Sequence, residues 1–256
     1  MKKRKTILVT NDDGVNAPGL YALIDMVRIY GKLVVVAPDT PNSGKSSSLT
    51  VENPIRLKKL KEKEDLIIYS CSGTPADCVK LALNYLFKDG SPDHVVSGIN
   101  HGSNASINVM YSGTVGAALE GCVNGIPSIA YSVTSPREDI DFSNAISFGR
   151  VIFNRVLEYG LPDNICLNVN FPIGEIKGVI PCRQAIGNWK EEFEHRTDPN
   201  GREYFWLTGY FSNSEPASND TDIALLKEGY CTIVPTKTNF TDFEMIKKLK
   251  QWEYEV

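Results

Sequence analysis

Two adjacent aspartates, Asp12 and Asp13, stand in Asn11-Asp12-Asp13-Gly14, directly after the apolar run Thr6-Ile7-Leu8-Val9-Thr10. Neighbouring side chains of an extended strand point to opposite faces, so both acids can serve one site only where the backbone turns. Gly14 permits such a turn. Two further apolar runs end in polar loops. Asp39, Asn42, Ser43, Gly44 and Ser46 to Ser48 follow Leu33-Val34-Val35-Val36, and Gly98, Asn100, Gly102 and Asn104 follow Val95-Val96-Ser97. These side chains offer oxygen and almost no nitrogen or sulfur, which selects a hard ion, Mg²⁺ or Mn²⁺, over zinc or copper. The charges point the same way. At ~4 Å a carboxylate and a phosphate charge repel by roughly 4 kcal/mol at an effective dielectric of 20. Two carboxylates alone would expel a phosphate monoester, and a divalent cation between them reverses that sign.

An aspartate pair after a strand also serves as an ordinary helix cap. The neighbouring segments shift the balance. Ser112-Gly113-Thr114 opens a helix, where backbone N–H groups and hydroxyls suit a phosphate. Asn11, Gly44, Gly102 and Asn104 are further candidate substrate contacts. His101, beside Asn100, is a candidate acid catalyst, although loop histidines are more often not catalytic, and Lys45 reads as a solvated loop lysine.

Residues at strand ends meet only in a parallel sheet, where ligands bind outside the carboxyl ends of the strands. The first two thirds of the chain has that texture. Continuous apolar strands at 6–10, 33–36, 66–69, 94–97 and 129–133 alternate with helical segments. One helix carries Leu20, Leu23, Ile24 and Val27 on a face and stops at Gly31. A second opens at Thr74-Pro75-Ala76-Asp77, a capping pattern, with Cys78, Leu81, Ala82 and Tyr85 facing inward. Others run from Thr114 to Asn124, stopped by Gly125, and from about Asn144 to Tyr159. The expected fold is α/β, a doubly wound, mostly parallel sheet over residues 1–170. Residues from about 175 to 236 form an antiparallel extension, including Asp198-Pro199-Asn200-Gly201 between two extended stretches. A closing helix spans 240–252, all within one domain of 1–256.

Length and composition set outer bounds. The 256 residues carry a formal net charge of -4 and are 42% hydrophobic, enough for a full core and against general nucleic-acid binding. Met1-Lys2-Lys3-Arg4-Lys5 reads as a solvated tail, with no signal-like apolar stretch after it and no membrane-length run elsewhere. The six cysteines form no CxxC pair and read as buried thiols in a reducing compartment. A cytoplasmic protein with no membrane or nucleic-acid duplex partner is expected.

Together these segments resemble the SurE family (survival protein E) of metal-dependent nucleotidases. The residues that carry the resemblance are Ile7 through Gly14 with Ala17-Pro18-Gly19, Val36-Ala37-Pro38-Asp39 through Ser43-Gly44, Gly73 through Val79, Val96 through Asn100 and Tyr111 through Val115. Downstream, Leu167 through Asn170, Arg196 through Pro199 and Glu228-Gly229-Tyr230 continue it. The resemblance implies one divalent cation per subunit on Asp12, Asp13, Ser43 and Asn100. It also implies hydrolysis of nucleoside 5′- or 3′-monophosphates, and a homodimer or homotetramer built partly through exchanged C-terminal elements. Asp12 or Asp13 would act as general base or transient nucleophile. Asn42 and Ser47 depart from the arginine and histidine that many members carry there, which bears on substrate preference. The alternatives fit less well. A haloacid-dehalogenase-like phosphatase needs two acids separated by one residue, a receiver domain needs an Asp where Asn100 stands, and a dehydrogenase needs a Gly-x-Gly-x-x-Gly turn.

Overall fold

A computed structural model describes residues 4–135 and 139–254. The first three residues of the basic N-terminal run lie outside them. Among the described residues the chain builds one nine-stranded sheet and two small two-stranded ones. Its elements begin β1 (Lys5–Thr10), α1 (Pro18–Val27), β2 (Gly31–Pro38), β3 (Leu57–Lys63), β4 (Leu66–Cys71), α2 (Pro75–Leu81), β5 (His94–His101), α3 (Gly113–Val123), β6 (Ser128–Val133), α4 (Ser143–Tyr159) and β7 (Ile165–Phe171). They continue with β8 (Val179–Pro181), β9 (Gly187–Lys190), β10 (Phe193–Thr197), β11 (Glu203–Leu207), β12 (Tyr210–Asn213), α5 (Asp222–Lys227), β13 (Cys231–Lys237) and α6 (Phe243–Leu249).

The large sheet runs β3-β4-β2-β1-β5-β6-β7-β13-β8. From β4 to β7 every neighbouring pair is parallel, while β3 and β13 pair antiparallel with β4 and β7. The chain leaves β1 toward one edge through β2 and β4, then returns to β1's other side as β5. The order therefore reverses between β1 and β5, and the carboxyl ends of these two strands flank the crevice where a doubly wound sheet binds ligands. The apolar runs become central strands because both faces are covered. Ile7 and Val9 pack with α1 and α4, whereas Leu8 packs with Val34, Val36, Cys78 and Val79 on the α2 side.

The sequence expectation differs from the structure in places. Gly31 does not end α1 as a left-handed cap: a short 3₁₀ turn, Arg28–Tyr30, follows the helix, and Gly31 is the first residue of β2. Tyr85 points outward, because residues 82–86 widen into a π turn that rotates the face inherited from α2. β3 escapes a hydrophobic reading because Leu57-Lys58-Lys59-Leu60-Lys61-Glu62-Lys63 is an exposed, charge-guarded edge strand. The region after β7 is not purely antiparallel: it contains α5, and β8 pairs in parallel with β13 at the edge of the main sheet. The turn at 198–201 does join a hairpin, β10–β11. The expected closing helix is shorter than 240–252 and buries none of its residues, so α6 closes nothing within its own chain.

Candidate metal centre and phosphate site

The acidic pair sits where β1 runs out. Gly14 has a φ of +103°, and Asn11 fixes the turn by donating from Nδ2 to the Gly14 carbonyl at 3.0 Å. Val15 donates its N–H to Pro38 O at 2.8 Å and Asn42 donates to Asp12 O at 2.7 Å, tying the loops after β1 and β2 together. The third loop extends β5 itself. The β5–β6 register shifts between Ser97 and Asn100, after which Asn100 and His101 pair with Ser132 and Val133. This irregularity re-aims Asn100 at the sheet end.

Asp12 is buried beneath the start of α3. Its carboxylate accepts from the Thr114 hydroxyl and from the Thr114 backbone N–H. Burial pushes the Asp12 carboxyl up to about 6, Thr114 opposes the rise, and the neighbouring Asp13 charge adds to it. The helix amides thus satisfy one carboxylate without compensating its lost hydration. Gly113 is required by proximity: a Cβ there would stand 2.9 Å from Asp12 Cβ and 3.0 Å from its Oδ2. Ser112 caps α3, its Oγ accepting from Val115 N at 3.0 Å.

Asp12, Ser43, Gly44, Asn100, Gly102, Asn104 and Ser112 line one cavity of about 540 Å³. Asn11, Asp13, Gly113 and Thr114 are adjacent in the chain but do not line it. Asp13 is turned aside, its Oδ2 accepting from His101 N and lying against His101 Nδ1, both at 3.2 Å. The His101 ring meets Phe142 edge-on, at 5.4 Å between centroids, and the histidine itself lines the cavity. Asn100 donates from Nδ2 to Gly102 O at 2.8 Å, which leaves its carbonyl oxygen as the atom able to meet a cation.

A buried asparagine network fixes the floor. Asn104 accepts and donates on every side: its N–H to Asn170 Oδ1, its Nδ2 to Ser132 Oγ, and its carbonyl receiving Asn168 Nδ2, at 2.7–2.8 Å. Asp222, also buried, accepts from the backbone N–H groups of Ser106, Ala185 and Ile223 at 2.8–2.9 Å and so pins the C-terminal extension to this segment. In the sequence Asp222 carries no signal, and Asn168 and Asn170 stand only within a segment that carries the family resemblance, with no site role. The asparagines, alternating on the last parallel strand, are the signal that could have found them. Trp189, Glu192, Leu207 and Thr208 form the outer wall, and only folding brings them there.

Among the described residues no three His, Cys, Asp or Glu side chains cluster as a metal site. A cation here must therefore rely on neutral oxygens beside the acids. The donors fit a hard divalent ion: a desolvated carboxylate on Asp12, the Asn100 carbonyl oxygen and the Ser43 hydroxyl on one wall, with Asp13 next in the chain.

The family model described as Survival protein SurE matches residues 7–191. The chain is similar to the 5′-nucleotidase SurE of Phocaeicola vulgatus, 50% identical with all of both chains covered. It is also similar to the 5′-nucleotidase SurE of Christiangramia forsetii, 46% identical over 98% of each chain. Among solved structures, the SurE protein of Aquifex aeolicus superposes with a TM-score of 0.83 at 37% identity, covering 96% of this chain and 98% of that one.

Proposed function

The chain belongs to the survival protein SurE family, and on that premise we propose that it is a 5′-nucleotidase, a metal-dependent phosphomonoesterase that releases phosphate from nucleoside 5′-monophosphates. One observation carries the reading most directly. Three strand-end loops at the switch point put Asp12, Ser43 and Asn100 on a single cavity that also meets the capped N-terminus of α3.

Asp12, Asp13, Ser43 and Asn100 would hold the cation, Mg²⁺ or Mn²⁺ by the hardness of the donors. When bound, it supplies positive charge that offsets the acids and polarises the phosphoryl group. The chain's own groups do the rest. Ser112, which lines the cavity as the cap of α3, would meet the phosphoryl oxygens at the positive end of the helix. Asn104, immobilised through its backbone and amide nitrogen, presents its remaining oxygen at the floor. His101, which lines the cavity and whose ring lies against Asp13 Oδ2 at 3.2 Å, is placed to exchange a proton with water or the leaving alkoxide. 3′-Monophosphates present the same phosphoryl group and fall within the same chemistry.

The assembly we infer is a homodimer or homotetramer, because α6 and β10–β11 expose Phe193, Phe205, Trp206, Phe243 and neighbouring apolar side chains. Six unpaired thiols suit a reducing compartment, the cytoplasm. No helix among the described residues is long and apolar enough to cross a membrane.

The test is phosphate release from AMP with Mn²⁺ or Mg²⁺. Activity abolished by EDTA and restored by added metal is expected. Asp12→Asn should lose more than the roughly 10–100-fold that outer-shell partners of a metal cost. Full activity in EDTA, or in Asp12→Asn, would overturn the site.

A further inference from the structure

The acids and the α3 terminus account for one end of the cavity, and its volume of about 540 Å³ is far more than a phosphoryl group fills. Other lining residues have a different chemistry. Tyr111, at the turn before α3, Trp189 on β9 and Leu207 at the end of β11 present aromatic and aliphatic surface there. Trp189 is held in one orientation. Its Nε1 donates to Asn108 Oδ1 at 2.8 Å, and Asn108 Nδ2 donates in turn to Ser103 O at 3.0 Å. The indole is thereby fixed to the same 103–111 segment that joins Asn100 to the phosphate helix. Phe211, opposite Trp189 in the β9–β12 ladder, sets it from another side, with ring centroids 6.5 Å apart and planes at 72°. Yet Trp189 is only half-buried, so a pinned aromatic surface remains open on a polar cavity.

We propose that Trp189, flanked by Tyr111 and Leu207, is the nucleobase subsite of this cavity, binding the planar base by stacking while the phosphate lies over Asp12 and Ser112. The assignment rests on the nucleotidase reading and adds to it the part of the substrate that the metal centre does not see. Asn108 spends its Oδ1 on Trp189 and an Nδ2 proton on Ser103 O, so its part here is to hold the indole in place. Stacking without edge recognition tolerates every base and favours the larger purine face. The subsite belongs to the extension, not to the parallel core. Through Asp222 and the Trp189–Asn108 bond the fold couples that extension to the loop that also supplies Asn100.

The decisive measurement compares AMP with β-glycerol phosphate, a monoester without a base, in the wild-type protein, Trp189→Leu and Trp189→Phe. Trp189→Leu should raise KM for AMP roughly ten- to a hundredfold with kcat kept, leave kcat/KM for β-glycerol phosphate within about twofold, and weaken inhibition by adenosine in parallel. Trp189→Phe, which restores a π face, should recover much of the AMP affinity. Equal losses on both substrates would make Trp189 a packing residue and overturn the subsite, as would an unchanged KM for AMP. If Trp189→Leu does not fold, Tyr111→Ala carries the same substrate split with a smaller KM change, and its absence overturns the proposal. Wild-type protein that hydrolyses neither ester would overturn the nucleotidase reading and the subsite with it. Hydrolysis of both with no preference for AMP overturns the subsite alone.

Discussion

At the residue scale the centre of the site is a carboxylate under competing demands. Asp12 is taken out of water, receives two hydrogen bonds from Thr114 and has a second acid beside it. Its raised pKa shows that burial and like charge outweigh those bonds, which is the imbalance a cation removes. The tolerance for movement is small, because the backbone of α3 passes Asp12 where only Gly113 fits. Gly113→Ala should therefore push Asp12 or the helix start aside and lower kcat/KM for AMP by about a hundredfold, the scale of a misplacement near 1 Å. The check is steady-state kinetics beside a circular dichroism melt. Retained activity with a normal melt would show that the close approach is not needed.

The elements matter because each catalytic group hangs on a loop whose ends are tied to regular structure. α2 is an example away from the chemistry. Thr74 and Asp77 form a reciprocal capping box, and the Asp77 carboxylate also accepts from Thr50 N at 3.1 Å. Thr50 lies in the long loop that carries Ser43, so one carboxylate both completes a capping box and anchors a site loop. Asp77→Ala keeps the Thr74 cap but removes the reciprocal half of the box and leaves the Thr74 and Thr50 N–H donors unpaired, a cost of about 2–4 kcal/mol. Urea unfolding should show that loss as a lower midpoint at an unchanged slope. A change under about 1 kcal/mol would mean the loop is held elsewhere. The capping box was legible in Thr74-Pro75-Ala76-Asp77, since it is written in four consecutive residues. The asparagine network was not, because Asn104, Asn168 and Asn170 meet only once β7 lies in the sheet.

Two predictions belong to the molecule as a whole. His94 opens β5, buried against Phe153 with ring centroids 5.2 Å apart. Burial, helped by the Lys5 charge, lowers its pKa to about 4. The folded protein therefore holds His94 neutral, while the unfolded chain takes a proton near its ordinary value of 6.5. The stability this contributes is full above pH 6.5 and is lost as pH falls toward 4. Between pH 7 and pH 5 the loss is about 2 kcal/mol. The unfolding free energy from urea titrations should fall by that much more between the two pH values in the wild-type protein than in His94→Gln, and identical falls would refute it. The second prediction concerns the apolar surface left bare by α6 and β10–β11. Sedimentation should give a species two or four times the 28.3 kDa protomer. The double variant Phe205→Glu with Phe243→Glu should move toward the monomer, whereas a monomeric wild-type protein would leave that surface without the partner inferred for it.

By itself the sequence determined most strands and helices of the core, the turn at Gly14, the capping box and the oxygen-rich loops, because each of these is written in neighbouring residues. Periodicity and turn chemistry act over a few positions, and so do the family's motifs. Only the tertiary structure decided which loops share a cavity, that Asp13 turns toward His101, that Thr114 spends its hydroxyl on Asp12, and that Trp189 faces the site from a strand far along the chain. Those outcomes depend on strand order and on buried polar groups finding partners across 60 to more than 100 residues of sequence, as between Asn104 and Asn170 or Asp12 and Thr114. No local pattern encodes them, since the partners become neighbours only when the sheet is assembled.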